Sequence, residues 1–246
     1  MQKVALITGA SRGIGAEIAR LFAQKGVILA LNYRQNDVAA QALAEELRDK
    51  FQAEVLLCKA DVANTQAVKD MVSRILQTYG QIDILVNNAG IAQQKLFTDI
   101  TDEDWDRMIN TNLRGSFACC REVLPHMIHE KSGSIVIISS MWGLVGASCE
   151  VHYSAAKAGL IGLTKALAKE VGLSGIRVNC VAPGVIDTEM NAALPPEILN
   201  ELKEETPLNA IGRGEDVAKS VWFLASEESS FVTGQVLSVN GGFVIN

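Results

Sequence analysis

The chain has 246 residues, 48% of them hydrophobic, and a formal net charge of −6. This size and hydrophobic content allow one α/β domain with a full core, while the acidic balance argues against nucleic acid as the main partner. No run of 18 apolar residues suggests a membrane span. The N-terminus lacks the pattern of a secretory signal, so we expect a cytoplasmic protein with no membrane partner.

Seven short, β-branched runs alternate with longer helical patterns, as in parallel sheets whose strands are joined by crossover helices. In chain order they read KVALIT, VILALNY, VLLCKAD, IDILVNN, GSIVIISS, IRVNCVAP and GQVLSVNG. Their continuous apolar character is typical of strands covered by helices on both faces. We therefore predict a single α/β domain over residues 1–246, doubly wound around a mainly parallel seven-stranded sheet. The longest irregular section, about residues 184–214, is a candidate substrate lid.

A glycine-rich turn, TGASRGIG, joins the first strand to the first helix. Gly9, Gly13 and Gly15 stand where the chain turns sharply and where backbone N–H groups can approach phosphate oxygens at a helix N-terminus. Such a turn is weak evidence alone, because three glycines also serve tight packing. Two further segments, residues 61–62 and the NNAG of residues 87–90, follow the third and fourth strands. Ligands of open α/β sheets bind at these strand ends, which favours a dinucleotide site.

The segment SSMWGLVGASCEVHYSAAKAGL, residues 139–160, contains a candidate proton donor. Lys157 follows Tyr153 by four residues, so the two side chains share a helix face and the ammonium can lower the pKa of the phenol. In ketone reduction Tyr153 would then protonate the carbonyl oxygen. Ser140 follows the fifth strand and can donate a hydrogen bond to the same oxygen. His152 lies roughly 100° away around the helix, so we interpret it as non-catalytic.

These motifs together resemble the short-chain dehydrogenase/reductases, whose glycine turn, NNAG, Ser–Tyr–Lys set and Pro-Gly pair occur here in the same order along the whole chain. The resemblance implies a Rossmann-type fold, a nicotinamide cofactor and a fourth catalytic residue, Asn112 in NTNLRGS. From the sequence alone, an asparagine inside a helix is more often tolerated for packing. The cofactor-binding residues that the resemblance implies are Gly9, Ser11, Arg12, Gly13, Ile14, Gly15, Asn32, Arg34, Asp61, Val62, Asn88, Ala89, Gly90, Tyr153, Lys157, Pro183, Gly184, Ile186 and Thr188.

The end of the second strand decides which nicotinamide cofactor we expect. A carboxylate there would bind the ribose of NAD and repel the extra phosphate of NADP, and Asn32 stands at this position. Arg12 and Arg34 can instead clamp the 2′-phosphate, unless both are merely solvated surface arginines. We predict NADPH/NADP as the cofactor. We predict no metal, because the five cysteines lack the paired spacing of a zinc site and His126 and His129 lack further ligands.

A stripe of small side chains runs along the helix of Tyr153, roughly opposite the catalytic face. It consists of Ala155, Gly159, Gly162 and Ala166. The stripe can pack on the domain's own sheet or against the same helix of another subunit across a twofold axis. The family resemblance favours the second arrangement and implies a homotetramer.

The segment between Ser140 and Tyr153 bears on the substrate. Overall, the chain is similar to bacterial 3-oxoacyl-acyl-carrier-protein reductases, which implies a ketone carried on acyl carrier protein and a role in fatty acid biosynthesis. In those reductases this segment runs through Gly, Asn, Pro and Gln, whereas here it is bulkier and acidic. It resembles the reductases of the 5-aminopentanone-modified lysine of elongation factor P. The candidate substrate contacts are Ser140, Met141, Trp142, Cys149 and Glu150.

Three functions therefore stay open. A reductase of carrier-bound 3-oxoacyl groups comes first, although an acidic carrier needs basic landing residues and Ser174 stands where a cation would be expected beside Lys131. A reductase acting on elongation factor P comes second, because Glu150 can attract the ammonium of an aminoketone. A non-catalytic sensor of NADP comes last, since a sensor needs the cofactor groove but no proton donor.

Overall fold

The computed structural model describes residues 2–189, 191 and 195–245. Its strands are β1 (Val4–Ile7), β2 (Ile28–Tyr33), β3 (Val55–Lys59), β4 (Ile84–Asn87), β5 (Gly133–Ile138), β6 (Ile176–Pro183), β7 (Ile186–Asp187), β8 (Gly212–Arg213) and β9 (Val236–Val239). Its α-helices are α1 (Gly13–Gln24), α2 (Asp37–Phe51), α3 (Thr65–Tyr79), α4 (Asp102–Ile109), α5 (Gly115–Glu130), α6 (Trp142–Val145), α7 (Val151–Val171), α8 (Pro196–Glu205) and α9 (Gly214–Ala225).

All seven predicted strands pair in one sheet, in the order β3-β2-β1-β4-β5-β6-β9. Every pairing in it is parallel. The chain lays down β1 to β3 in one direction and β4 onward in the other, which is the Rossmann-type arrangement and confirms the predicted fold class. The reversal between β1 and β4 leaves a crevice at the carboxyl ends of these strands, where ligands of such sheets bind.

The two faces of the sheet are covered by different helices, which explains the continuous apolar strands. Successive strand residues point to opposite faces, so Ile7 packs in the cluster that includes α1 and α9. Leu6 packs in the cluster that includes α3, α5 and α7. Among the described residues, no helix combines the length and apolar character needed to cross a membrane.

The candidate lid contains more regular structure than its sequence pattern indicated. Residues 184–214 include α8 and two short strands, β7 and β8, which pair in parallel as a second sheet. Strands of two residues have no detectable periodicity, so the sequence could not predict them. Part of the predicted lid, Met190 and residues 192–194, lies outside the described residues.

Candidate active site

The glycine-rich turn after β1 packs directly on the segment that follows β4. Gly9 has a φ of +62°, which favours glycine, and a Cβ there would lie 2.8 Å from the Cα of Ala89. Asn88 Nδ2 donates to the carbonyl oxygens of Thr8 and Gly9 at 3.0 and 3.1 Å. Thr8 Oγ1 in turn accepts from the backbone N–H groups of Asn88 and Ala89, both at 3.0 Å. The NNAG segment therefore holds the turn in place.

Asn32 holds the same turn from the other side, a role the sequence did not indicate. Its Oδ1 accepts from the backbone N–H of Gly9 at 3.3 Å, and its Nδ2 donates to the carbonyl oxygens of Cys58 and Ala60 at 3.1 and 3.0 Å. Because backbone groups occupy both ends of this buried amide, Asn32 supports the cleft wall instead of offering its amide to a ribose. The neighbouring wall residues are Tyr33, Arg34, Gln35 and Asn36.

A cleft of about 550 Å³ opens at the carboxyl ends of β1, β2 and β4. Most of the cofactor-binding residues expected from the sequence line it: Gly9, Ser11, Arg12, Gly13, Ile14, Asn32, Arg34, Asp61, Val62, Asn88, Ala89, Gly90, Tyr153, Lys157, Pro183 and Thr188. Residues on its wall that the sequence did not single out are Tyr33, Gln35, Asn36, Ala60, Ile91, Ala92, Thr111, Ile138, Ser139 and Glu189. Ser139 is the first residue of the Ser-Ser pair and Thr111 precedes Asn112 in NTNLRGS, but neither was expected to contact a cofactor.

Three of the expected cofactor residues are placed away from the cleft wall. Gly15 lies against the Gly9 carbonyl group, which a side chain at this position would overlap. Gly184 packs on the backbone of Asn240, where a Cβ would come within 2.7 Å of the Asn240 Cα. Ile186 is buried in the core beside α9. These residues shape the site through packing, which motif spacing does not distinguish from ligand contact.

Two guanidinium groups lie on the cleft wall, those of Arg12 in the glycine turn and of Arg34 just after β2. Arg12 Nη1 lies 3.1 Å from Glu189 Oε2, and Arg34 Nη1 lies 3.8 Å from Asp61 Oδ2. Both arginine side chains remain about half exposed or more, so these ion pairs are weak and leave N–H donors free for an anion. Close packing at Gly9 and Gly15 together with two nearby cations fits a phosphate-bearing dinucleotide.

The catalytic candidates lie together where β5 meets α7. Lys157 Nζ lies 5.5 Å from the centre of the Tyr153 ring and donates to the Ile138 carbonyl oxygen at 2.9 Å. Ser140 follows two residues after Ile138, and its Oγ accepts from the backbone N–H of Trp142 at 3.2 Å. The Ser140 hydroxyl therefore keeps its own proton available for donation to a substrate oxygen.

Burial sets the protonation of this pair. Tyr153 is 9% exposed and Lys157 is 4% exposed. Burial raises the pKa of Tyr153 to about 12, against a weaker lowering by the Ser140 hydroxyl. Burial also lowers the pKa of Lys157 to about 8. The expected lowering of the phenol pKa by Lys157 is therefore not seen in this structure, where desolvation is the largest cause and raises the pKa.

Asn112 does not sit in an ordinary helix. It belongs to a π-helical turn, Asn110–Arg114, between α4 and α5. Its Oδ1 accepts from the Ile91 backbone N–H at 2.8 Å, and its Nδ2 donates to the Ile91 carbonyl oxygen at 2.9 Å. Asn112 thus fixes the chain just after Gly90, where a Cβ would come within 2.9 Å of Asn112 Oδ1.

The segment expected to touch substrate is only partly open. Met141 is 1% exposed, and so it supports the site from within the core instead of facing a ligand. Trp142 packs edge to face on Phe243, with ring centres 5.6 Å apart. Cys149 adopts a φ of +61°. Glu150 Oε1 accepts from Gln94 Nε2 at 3.3 Å, and burial raises the pKa of this carboxyl group.

Comparison with known proteins gives the family. A family model described as enoyl-(acyl carrier protein) reductase matches residues 9–244. A 3-oxoacyl-acyl-carrier-protein reductase of Chlamydia muridarum is 45% identical over 242 residues, which cover 98% of this chain and 97% of that protein. The protein of the same name from Staphylococcus epidermidis is 42% identical, with 98% and 99% covered. The chain therefore belongs to the short-chain dehydrogenase/reductases, oxidoreductases that act on CH–OH and C=O groups.

Proposed function

We propose that this protein reduces the ketone of a 3-oxoacyl thioester to a secondary alcohol with NADPH. The observation that carries the proposal is that Tyr153 and Lys157 lie on the wall of a dinucleotide-sized cleft, with the Ser140 hydroxyl within hydrogen-bonding reach of the Tyr153 phenol. The relatives named 3-oxoacyl-acyl-carrier-protein reductase support this substrate class and a role in fatty acid biosynthesis. The acyl carrier protein and a cytoplasmic location are part of the same proposal.

In this mechanism the protein supplies proton transfer and orientation. The nicotinamide, when bound, supplies the hydride. Tyr153 remains protonated at neutral pH because its pKa is about 12, so it can donate its proton to the carbonyl oxygen. Ser140 donates a hydrogen bond to the same oxygen. Lys157, held on the Ile138 carbonyl group, places a cation beside the phenolate that remains after proton transfer.

The basic residue that the family resemblance offers to a carrier protein, Lys131, lies away from the reaction site of the same chain. Lys131 and Ser174 are near neighbours, since Gly175 packs on the Lys131 backbone. Lys131 precedes β5 and Ser140 follows it, so a six-residue strand of roughly 20 Å separates them. Within one chain, Lys131 thus lies at the amino end of β5, whereas the catalytic groups lie at its carboxyl end.

A second candidate, the modified lysine of elongation factor P, is favoured by one observation. Glu150 is a half-buried carboxylate three residues before Tyr153, and among the described residues Gln94 is the one hydrogen-bond partner of its carboxylate group. A buried carboxylate can pair with the ammonium of an aminoketone, whereas an acyl chain offers it nothing. Glu150→Gln would then raise KM for the aminoketone and leave the acyl thioester unaffected.

The test of the proposed function is NADPH oxidation with four compounds. These are acetoacetyl-coenzyme A, an acetoacetyl carrier protein, an elongation factor P bearing the aminopentanone lysine, and crotonyl-coenzyme A. We expect turnover of the 3-oxoacyl thioesters and none of crotonyl-coenzyme A, because Tyr153 is placed to protonate a carbonyl oxygen. Preference for the modified lysine would support the second candidate, and tight NADPH binding without any turnover would revive the sensor.

Substitution of the proton donor completes this test. Tyr153→Phe removes the phenol hydroxyl and keeps the ring, so it should preserve the fold and NADPH binding. We expect kcat to fall at least about 100-fold, the lower range of what a positioned acid contributes. Near-normal turnover by the variant would contradict the assignment of Tyr153.

A further inference from the structure

A chain of hydrogen bonds connects the first turn of α7 to the segment after β4 and to α4. His152 Nε2 lies 3.1 Å from Gln93 Oε1, and Gln93 Nε2 donates to Asp104 Oδ1 at 2.9 Å. Lys95 Nζ donates to the other carboxylate oxygen of Asp104 at 2.6 Å. His152 is completely buried. These four residues, His152, Gln93, Asp104 and Lys95, are called the His152 chain below.

The chemistry of the acceptors fixes the direction of every bond in the His152 chain. Hydrogen bonds from Lys95 and Gln93 hold the pKa of Asp104 well below its usual range, so the carboxylate only accepts. Gln93 must then donate through its nitrogen and present its oxygen to His152. His152 therefore donates through Nε2–H and keeps Nδ1 unprotonated. Within the described part of the chain, no group bonds to this buried Nδ1, so a proton there would remain unpaired.

The first turn of α7 depends on contacts with the segment that follows β4. Glu150 stands at the N-cap position, but no side-chain bond caps the helix there. The segment after β4 holds the turn instead, since the Lys95 backbone N–H donates to the Cys149 carbonyl oxygen at 2.7 Å and the His152 chain adds a side-chain connection. Tyr153 lies in the same turn, directly after His152. The orientation of its phenol thus depends on a segment that is remote in sequence.

We propose that His152 is a positioning residue for Tyr153, acting through Gln93 and Asp104 and only in its neutral form. The inference rests on the proposed function, because it assumes that Tyr153 donates the proton to a ketone. Loss of the His152 chain should leave the cofactor cleft unchanged, since none of the four residues in this hydrogen-bonded set lies on the cleft wall. The effect should therefore appear in kcat and not in KM for NADPH.

Protonation of His152 should have the same effect as its removal. Burial holds the pKa of His152 below 6.5; Arg107 and Lys95 act in the same direction, and Asp104 opposes them. Tyr153 and Lys157 are already protonated in acid and cannot cause a loss of reduction there. We expect kcat for acetoacetyl-coenzyme A reduction to fall below pH 6.5 with the slope of one proton.

Matched variants separate positioning from a merely structural role. His152→Leu breaks the His152 chain and should lower kcat about tenfold or more at neutral pH, as small misplacements of a catalytic group do, and its kcat should show no acidic decline. His152→Gln keeps a donor at the same reach and cannot gain a proton, so it should restore kcat and abolish the acidic decline. Gln93→Met should reproduce the loss, and the double variant with His152→Leu should lose no more than either alone.

Three controls accompany these variants. His129→Leu changes an exposed histidine on α5 and should leave kcat and its pH profile unchanged. Glu150→Gln should retain the acidic decline, which excludes Glu150 as its source. Thermal unfolding of each variant shows that it is folded. A His152→Leu variant with kcat within twofold of the wild type, or a His152→Gln variant that keeps the decline, would overturn the proposal.

A spectroscopic readout is independent of turnover. The chain has three histidines, so long-range proton–nitrogen spectra can be assigned by substitution. His152 should appear as the neutral Nε2–H tautomer at pH 7 and should titrate below 6.5. An Nδ1–H tautomer or a charged ring at pH 7 would refute the His152 chain even if ketone reduction is normal. If the protein does not reduce ketones, the same spectra still decide whether the hydrogen bonds of the His152 chain are formed.

Discussion

At the scale of single residues, burial has more influence on Tyr153 than the neighbouring cation has. A phenol with a pKa of about 12 remains protonated throughout the neutral range, so it can act as an acid. It is a poor base, because alcohol oxidation requires the phenolate. The lowered pKa of Lys157, about 8, means that the cation itself is lost on the alkaline side. The pair is therefore better suited to reduction than to oxidation.

This asymmetry predicts different pH profiles for the two directions. Between pH 6.5 and 8, the phenolate fraction rises about tenfold per unit, so kcat for oxidation of a 3-hydroxyacyl thioester with NADP should rise by the same factor. Reduction should stay nearly constant up to about pH 7, where Tyr153 remains protonated and Lys157 remains mostly charged, and should fall as pH passes 8 and the Lys157 cation is lost. Initial rates in both directions provide the measurement. A plateau of the oxidation rate by pH 7 would mean that the phenol pKa is not raised during turnover.

Arg34 provides a second prediction at this scale. Its guanidinium lies at the cleft wall beside Asp61 and can form charge-assisted hydrogen bonds with a 2′-phosphate. We expect the wild type to prefer NADPH over NADH at least about tenfold in kcat/KM, and Arg34→Ser to remove most of this preference by weakening NADPH alone. Arg74→Ser, on the exposed side of α3, is the matched control. Equal use of both cofactors by the wild type would refute the assignment.

At the scale of elements, α1 and α2 are joined by a cluster of charges. Arg20 on α1 donates from Nε and Nη2 to the two carboxylate oxygens of Glu46 on α2, at 3.1 and 2.9 Å. Lys50 donates to Glu46 Oε1 at 3.0 Å. These bonds lower the pKa of Glu46 to about 2. Because α1 starts at the glycine turn, the cluster also steadies the helix that faces the cofactor cleft.

The cluster should contribute to stability in a defined pH range. The pKa of Glu46 is lower in the folded state than its usual value of 4.5, so the contribution is complete above pH 4.5 and is lost as pH falls towards 2. Glu46→Gln should reduce the free energy of unfolding by about 1 kcal/mol at pH 7, a value appropriate to a partly exposed pair. Urea titrations at several pH values measure it, with exposed Glu45→Gln as the control. If Glu46→Gln lowered the free energy of unfolding equally at pH 7 and at pH 2.5, the prediction would be contradicted.

At the scale of the whole molecule, the outer face of α7 is a surface suited to self-association. Ala155, Gly162 and Ala166 are exposed, and Gly162 has no atom of the described residues within 4 Å of a Cβ built on it. Gly159 instead packs on Leu113. Most of this stripe of small residues therefore does not pack against the rest of the chain. A second copy of α7 approaching this face would explain it, which supports the proposed homotetramer.

Gly162→Trp tests this association. The added ring has free space in the single chain, so the fold should survive, but it would separate two helices that meet at this face. We expect the mass in solution, measured by light scattering, to fall from that of a tetramer. Ala42→Trp places the same ring on the exposed face of α2 and should not change the mass. Unchanged mass of Gly162→Trp would exclude this face as an interface.

The sequence by itself determined the strands of the sheet, the glycine turn and the shared helix face of Tyr153 and Lys157. Each of these follows from a local pattern: apolar runs, turn residues or a spacing of four on a helix. Only the tertiary structure decided that the Asn32 amide hydrogen-bonds to backbone groups, that Asn112 lies in a π-helical turn and that His152 hydrogen-bonds to Gln93. It also reversed the expected pKa shift of Tyr153. These properties depend on atoms from segments that are distant along the chain, and on how much water the fold excludes between them, neither of which is encoded in a local pattern.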